Sequence, residues 1–375
     1  MATHAEHTIA GPAAAALASL TPAQLHFLRA LPKAELHAHL NGSIPLPALQ
    51  DLANQYLQTE QEDSDAVRAS IAQLQAGVTL NEIHEFFGLF PAIYALTSTP
   101  TALAQAARAV LAHFLLPRTS LLDPDPASST KPSSPDGKFP EAAYLELRTT
   151  PRETSAMSRM KYVETVLDEV ERYPADRAAL IVSLDRRMSA DVAAECVRCA
   201  VQLKEAGRRV VGIDLCGDVK AGDMTTFEAH FREAKAAGLG VTLHIAETED
   251  TPVAEIHTLL SFNPDRLGHA TFLDTPMREL VRSRKTCIEI CLSSNLLCKT
   301  VPVLADHHVR WYLREDHPVA ICTDDILPFR NSLLGEYALL MAAPPLGLGL
   351  TEAEVERVAR MAMECRFRLG SRMES

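Results

Sequence analysis

Eight short apolar runs, each followed by an amphipathic stretch, recur along this 375-residue chain, and that alternation constrains its fold more than any other feature. The runs are AELHAHL (34–40), AAYLELRTT (142–150), AALIVSLDRR (178–187), VVGIDLCGD (210–218), GVTLHIAE (240–247), RLGHA (266–270), CIEICLSSN (287–295) and PVAICTDD (318–325). Helix-like patterns such as KYVETVLDEVERY and DVAAECVRCAVQLKEAG lie between them. Strands alternating with helices build a parallel sheet. Eight of them in a chain of this length fit a closed α/β barrel, the (β/α)8 TIM barrel, which takes about 250 residues before insertions. The patterns place extra helices over 44–58, 80–96 and 100–116, between the first two strands, and a C-terminal helix over 351–368. An open doubly wound sheet is the competing architecture. It usually carries a Gly-rich turn after its first strand, and no such turn follows any run here.

A single domain over residues 25–375 accommodates all of these elements. Residues 1–24 are Ala-rich and read as a flexible leader; no basic region precedes their apolar part, so a secretory signal is not expected. Residues 117–140 are rich in Pro, Ser and Asp, have little to bury, and read as a disordered surface insertion. No apolar run approaches the roughly 20 residues that a membrane span needs. A net charge of −12 repels nucleic-acid backbones and anionic membranes, yet leaves room for one small anionic ligand held by local arginines. The eight cysteines are scattered, mostly inside apolar patterns, as expected of free thiols in a reducing, cytoplasmic setting. Cys196 and Cys199 have zinc-knuckle spacing, but sit mid-helix with no second pair. The expectation is a monomer that acts on a small molecule and has no nucleic-acid or membrane partner.

Almost every apolar run ends in polar residues: His37 and His39, Arg148 and Thr150, Asp185, Asp218, His244 and Glu247, His269, Ser293 and Asn295, Asp324 and Asp325. Barrel enzymes carry their chemistry at these C-terminal strand ends. Residues i and i+2 of a strand share a face, so His37 and His39 project together. The eighth strand of a closed barrel neighbours the first, which brings Asp324 to the same point, and His244 faces it from the fifth. Three imidazoles and a carboxylate suit Zn²⁺, with Fe²⁺, Mn²⁺ or Co²⁺ as alternatives. Glu247 lies just past the fifth strand, near the metal without ligating it, and a carboxyl desolvated there can hold a proton at neutral pH. His269 is placed to act as a further ligand or to orient water. Asp325, next to Asp324, points differently, toward substrate.

His37-Ala-His39-Leu-Asn41-Gly, His244-Ile-Ala-Glu247, Arg266-Leu-Gly-His269, Cys291-Leu-Ser-Ser-Asn295 and Cys322-Thr-Asp324-Asp325 run in this order across most of the chain. As an ordered set they resemble the adenosine deaminase family of the amidohydrolase superfamily. The resemblance implies one zinc ion per chain, held by His37, His39, His244 and Asp324, and hydrolytic attack at purine C6 by zinc-activated hydroxide. It implies that Glu247 protonates ring N1, that His269 positions the attacking group and that Asp324 helps to take its proton. Asp325 would bond N7, and the main chain at Gly217 would approach N3.

The choice of purine turns on Asn41, because adenosine deaminases proper carry Asp at that point of the motif. A carboxylate repels a 5′-phosphate, whereas a neutral amide can donate to it. Arg152, with the Thr149 and Thr150 hydroxyls, could grip such a phosphate. Residues 31–44, Thr149-Thr-Pro-Arg152 and Asp185-Arg-Arg187 resemble the adenosine deaminase-like branch, which acts on N6-substituted AMPs such as N6-methyl-AMP and leaves IMP. In that reading His39, Tyr94 and Asp185 also contact substrate, Tyr94 standing where the branch often has His. The alternatives are a nucleoside-level deaminase that turns adenosine into inosine, and a catalytically silent barrel that binds a partner.

Overall fold

The computed structural model describes residues 9–56, 65–76, 88–117 and 139–368. The strands are β1 (Ala34–His39), β2 (Tyr144–Thr149), β3 (Ala178–Asp185), β4 (Val210–Cys216), β5 (Gly240–Ile245), β6 (Arg266–His269), β7 (Cys287–Ile290) and β8 (Val319–Ile321). Each falls inside one of the apolar runs. They pair in parallel in chain order, β1 to β8, to form a TIM barrel. Closure from β8 to β1 is narrow. Ala38 bridges Asp324, the His39 N–H donates to the Asp324 carbonyl, and the buried Glu35 carboxylate accepts from the N–H groups of His37 (2.8 Å) and Thr323 (2.9 Å). The β1–β2 register shifts between Glu35 and Ala38, so β1 carries an irregularity just where its two histidines begin.

Four described helices, Leu46–Tyr56, Asp65–Ala76, Phe90–Leu96 and Pro100–Leu115, separate β1 from β2. Residues 80–87 of the helix expected over 80–96 lie outside the described residues, as do 118–138 of the expected insertion at 117–140. Two expectations change. Within the stretch read as a leader, Gly11–Ser19 is a helix whose Ala13 and Ala16 are fully buried. Small side chains allow it to sit close to the helix Leu333–Met341: a Cβ on Gly335 would lie 3.0 Å from that of Ala13. The run 287–295 is not all strand; β7 stops at Ile290, and Ser293 and Asn295 fall in the helix Leu292–Leu297. No described helix is long and apolar enough to cross a membrane.

The barrel interior is charged. Arg266 pairs with Glu146 (2.6 Å) and Glu289 (2.7 Å), while Arg148 pairs with Glu289 (2.8 Å) and Asp214 (3.4 Å), all of them buried. Buried charges persist only when paired, and removing one partner costs about 3–5 kcal/mol. The N-terminal end of the barrel is covered by Phe367, which follows the helix Glu352–Glu364. Its ring lies 3.7 Å from the Arg266 guanidinium and its N–H donates to Glu146 (2.7 Å). Gly212 and Gly240 make room for it, since a Cβ on either would come within 2.6 and 2.3 Å of the ring.

Candidate active site

His37 and His39 on β1, His244 on β5 and Asp324 just after β8 meet at the C-terminal mouth of the barrel. The Nε2 atom of His244 lies 2.9 Å from that of His37 and 3.2 Å from that of His39. The Asp324 carboxylate is 3.6 Å from His39 Nε2 and 3.9 Å from His37 Nε2. The opposite ring nitrogens are already engaged. His37 Nδ1 meets Glu289 at 2.6 Å, and His244 Nδ1 meets Asp214 at 3.0 Å. A carboxylate accepts the Nδ1 proton, so the Nε2 lone pairs turn to the shared centre. Converging lone pairs repel unless a proton or a cation lies between them, and the residues present therefore fit a metal ion. Cys216 also comes within reach of His39 and Asp214, but burial pushes its thiol well up and makes it a poor ligand.

The electrostatics agree. Burial, with help from Arg148, holds His37 well below the usual imidazole range; burial and the neighbouring His244 push His39 down to about 3. Burial also disfavours charge on His244, but Asp214 outweighs it and raises that ring to about 9. Without a cation His244 therefore carries a proton that it can share with His37, and a bound cation takes that proton's place.

The residues expected to carry protons lie around this centre. His269 Nε2 is 3.9 Å from Asp324 and 3.8 Å from Glu247. One Glu247 oxygen, Oε1, is buried with no hydrogen-bond partner among the described residues. Glu247 caps no helix: the next one, Val253–Ser261, has Pro252 as its N-cap. Asp325 precedes the short helix Ile326–Phe329 without capping it, and its Oδ1 is likewise orphaned. Burial and the charge of Asp324 raise the Asp325 carboxyl well above its ordinary value. Gly42 is required here because a Cβ would lie 1.8 Å from Asp325 Oδ1. Asp324 and His269 sit at φ of +63° and +60°, left-handed conformations that non-glycine residues adopt at a cost.

A second group lies on the β1–β2 side. Arg152 donates to the Thr97 hydroxyl (3.0 Å) and the Tyr94 carbonyl (3.3 Å), and lies over the Tyr94 ring at 4.0 Å. The Asn41 amide donates to Thr97 and its oxygen accepts from the Tyr162 hydroxyl, both at 3.4 Å; Thr149 meets the same hydroxyl at 2.9 Å. Arg152 Nε is buried with no partner among the described residues. Thr150 instead contacts the Cys216 thiol at 3.7 Å. Asp185 is taken up by Arg187 at 2.6 Å, and lies against Gly217, whose φ of +108° and missing Cβ admit the carboxylate.

A family model described as adenosine deaminase matches residues 138–370. The chain belongs to the adenosine deaminase family. It is 30% identical to the N6-mAMP deaminase of Arabidopsis thaliana, over 92% of this chain and 94% of that one. It is 32% identical to the N6-methyl-AMP deaminase of Homo sapiens, over 85% and 84% of the two chains. The crystal structure of an Arabidopsis relative complexed with IMP superposes with a TM-score of 0.74 at 31% identity, covering 91% of this chain and 93% of that one.

Several residues that shape this deaminase site escaped the sequence reading. Glu289 and Asp214 fix the His37 and His244 rings, and their signal was a charge inside an apolar strand (CIEIC, GIDLC). Arg186, 2% exposed, ties the His244 carbonyl (3.2 Å) to Glu255 (2.7 Å). Thr97 and Tyr162, which join Asn41 to Arg152 and Thr149, lie on helical segments with no local mark of function.

Proposed function

We propose that this chain is a zinc-dependent N6-methyl-AMP deaminase, which converts N6-methyl-AMP and water to IMP and methylamine. Its membership of the adenosine deaminase family makes it a hydrolytic purine deaminase, and the relatives named N6-methyl-AMP deaminase and the IMP-bound structure support the nucleotide. The observation that carries the nucleotide over the nucleoside is the Arg152 group. It offers a buried guanidinium N–H with no partner among the described residues, close to a neutral Asn41, which suits a phosphate and not a 5′-hydroxyl.

One zinc ion would be held by His37, His39, His244 and Asp324, and when bound it supplies the Lewis acidity that ionises water near neutral pH. The protein's own residues do the rest. Glu247 gives a proton to purine N1, which draws electrons from C6. His269 and Asp324 align water on C6 and accept its proton. As the water oxygen bonds to C6 the C6–N6 bond breaks, that proton passes to the amine, the remaining hydroxyl proton leaves to restore Glu247, and a 6-oxopurine remains. Asp325, as a neutral carboxyl, donates to N7. Gly217 brings the main chain to the N3 edge, Arg152 with Thr149 and Thr150 takes the phosphate, and His39, Tyr94 and Asp185 border the nucleoside.

The test is a comparison of kcat/KM for N6-methyl-AMP, AMP and adenosine on one metal-analysed preparation. N6-methyl-AMP is expected to lead; preference for adenosine would sink the proposal. We also place the enzyme in the cytoplasm as a monomer, in keeping with its free cysteines. Cell fractionation and light scattering check both.

A further inference from the structure

Beside the barrel mouth, outside the imidazole cluster, the helix Thr275–Arg284, the loop before His307 and the helix Val309–Arg314 line an open cleft of about 390 Å³. That is within the size range of small-molecule sites, roughly 300–1,000 Å³. Arg278, Arg310 and Arg314 line it, against one carboxylate, Asp306. Arg310 and Arg314 form no ion pair among the described residues, in a chain whose net charge is −12. Arg278 is half-buried, donates to the Leu273 carbonyl at 3.1 Å and lies over the Trp311 ring, 5.3 Å from its centre.

The cavity also touches the catalytic centre. His308 lines it, and its Nε2–H donates to the main-chain carbonyl of His269 at 2.9 Å. The other ring nitrogen, Nδ1, is buried and has no partner among the described residues. His269 and the following Ala270 both hold left-handed backbone, at φ +60° and +48°, so the His308 bond restrains a strained segment. Two exposed guanidiniums with no ion pair among the described residues, beside a third stacked on an indole, match a phosphate on a ring-bearing body.

We propose that this cavity is a second binding site, for a phosphate-bearing small molecule of mononucleotide size, and that its occupant acts on the catalytic centre through His308 and His269. This goes beyond the deaminase reading and uses none of the residues assigned to substrate.

Trp311 is the single tryptophan of the chain, so its fluorescence reports on this cavity. The probe is uridine 5′-monophosphate, which has phosphate and ring but no exocyclic amine, titrated into the metal-loaded enzyme. A saturable change in Trp311 emission is expected. In the exposed double variant Arg310→Gln/Arg314→Gln, the affinity should fall by roughly tenfold or more. Arg152→Ala should leave the response intact, because it alters only the proposed substrate phosphate contact. Saturating probe should change kcat for deamination in the wild type and not in the double variant, whereas competition for substrate would raise KM alone. A flat titration, an unchanged double variant, or a response lost with Arg152→Ala overturns the site. Saturable binding with kcat unmoved overturns its link to His269.

Discussion

Glu247 turns one oxygen toward His269 at 3.8 Å and has no hydrogen-bond partner for the other among the described residues, which suits the proposed proton carrier. Glu247→Gln should cut kcat by roughly 10²–10⁴-fold, the usual worth of a positioned acid or base, while the metal content stays at one ion per chain. Retained turnover in that variant removes the proton-transfer role. At the other end of the site, Asn41 reaches Arg152 through the Thr97 hydroxyl. Asn41→Asp puts a carboxylate where it competes for that guanidinium, and kcat/KM for N6-methyl-AMP is expected to drop roughly 10–100-fold, the worth of a charge-assisted bond. Adenosine should be spared, so equal loss on both substrates refutes the phosphate assignment. The imidazole cluster makes a pH prediction for the metal-free protein. His244 titrates near 9 when folded against 6.5 when free, so its contribution is complete below 6.5 and is lost as pH rises through 9. His39 titrates near 3, so its burial costs nothing above 6.5 and destabilises as pH falls toward 3. Urea unfolding of the stripped enzyme should therefore show this cluster contributing most near pH 6.5. A monotonic contribution across that range contradicts the assigned environments.

At the scale of elements, the eight strands could be read from the sequence because each is a compact apolar run closed by polar residues, and the candidate metal-binding residues stood at those ends. His37, His39, His244 and Asp324 converge because closure brings β1, β5 and β8 to one mouth, which the alternation already implied. What the sequence concealed were pairings that need two distant strands at once. The charge of Glu289 within β7 has no meaning until Arg148 and Arg266 arrive from β2 and β6. Gly11–Ser19 escaped notice for a different reason: an all-Ala buried face has no amphipathic contrast to display. Gly212 and Gly240 read as weak points in β4 and β5, whereas they are the seat of Phe367. Gly240→Ala should displace that ring and cost about 1–3 kcal/mol, as overpacking does, seen as a lower urea midpoint with an unchanged slope. Because the two positions share one contact, pairing it with Phe367→Ala should be less than additive.

The whole molecule is a charged barrel held at one end by a metal-ready cluster and at the other by an aromatic cover. A cation bound to the folded form alone stabilises it by mass action, so chelation should lower the midpoint of thermal unfolding and added zinc should restore it. The closure described above also sets an order of events in time. Glu35 bonds to Thr323, 288 positions later, and Glu146 meets Phe367, 221 positions later. At the pace of translation, about 5–20 residues per second, β1 waits on the order of 15–60 s for its last neighbour to be made. Throughout that interval the nascent chain presents an open strand edge and a half-assembled set of buried charges. The ring's last contacts therefore await the C-terminal third of the chain, so the half-built barrel is exposed for as long as that third takes to be made.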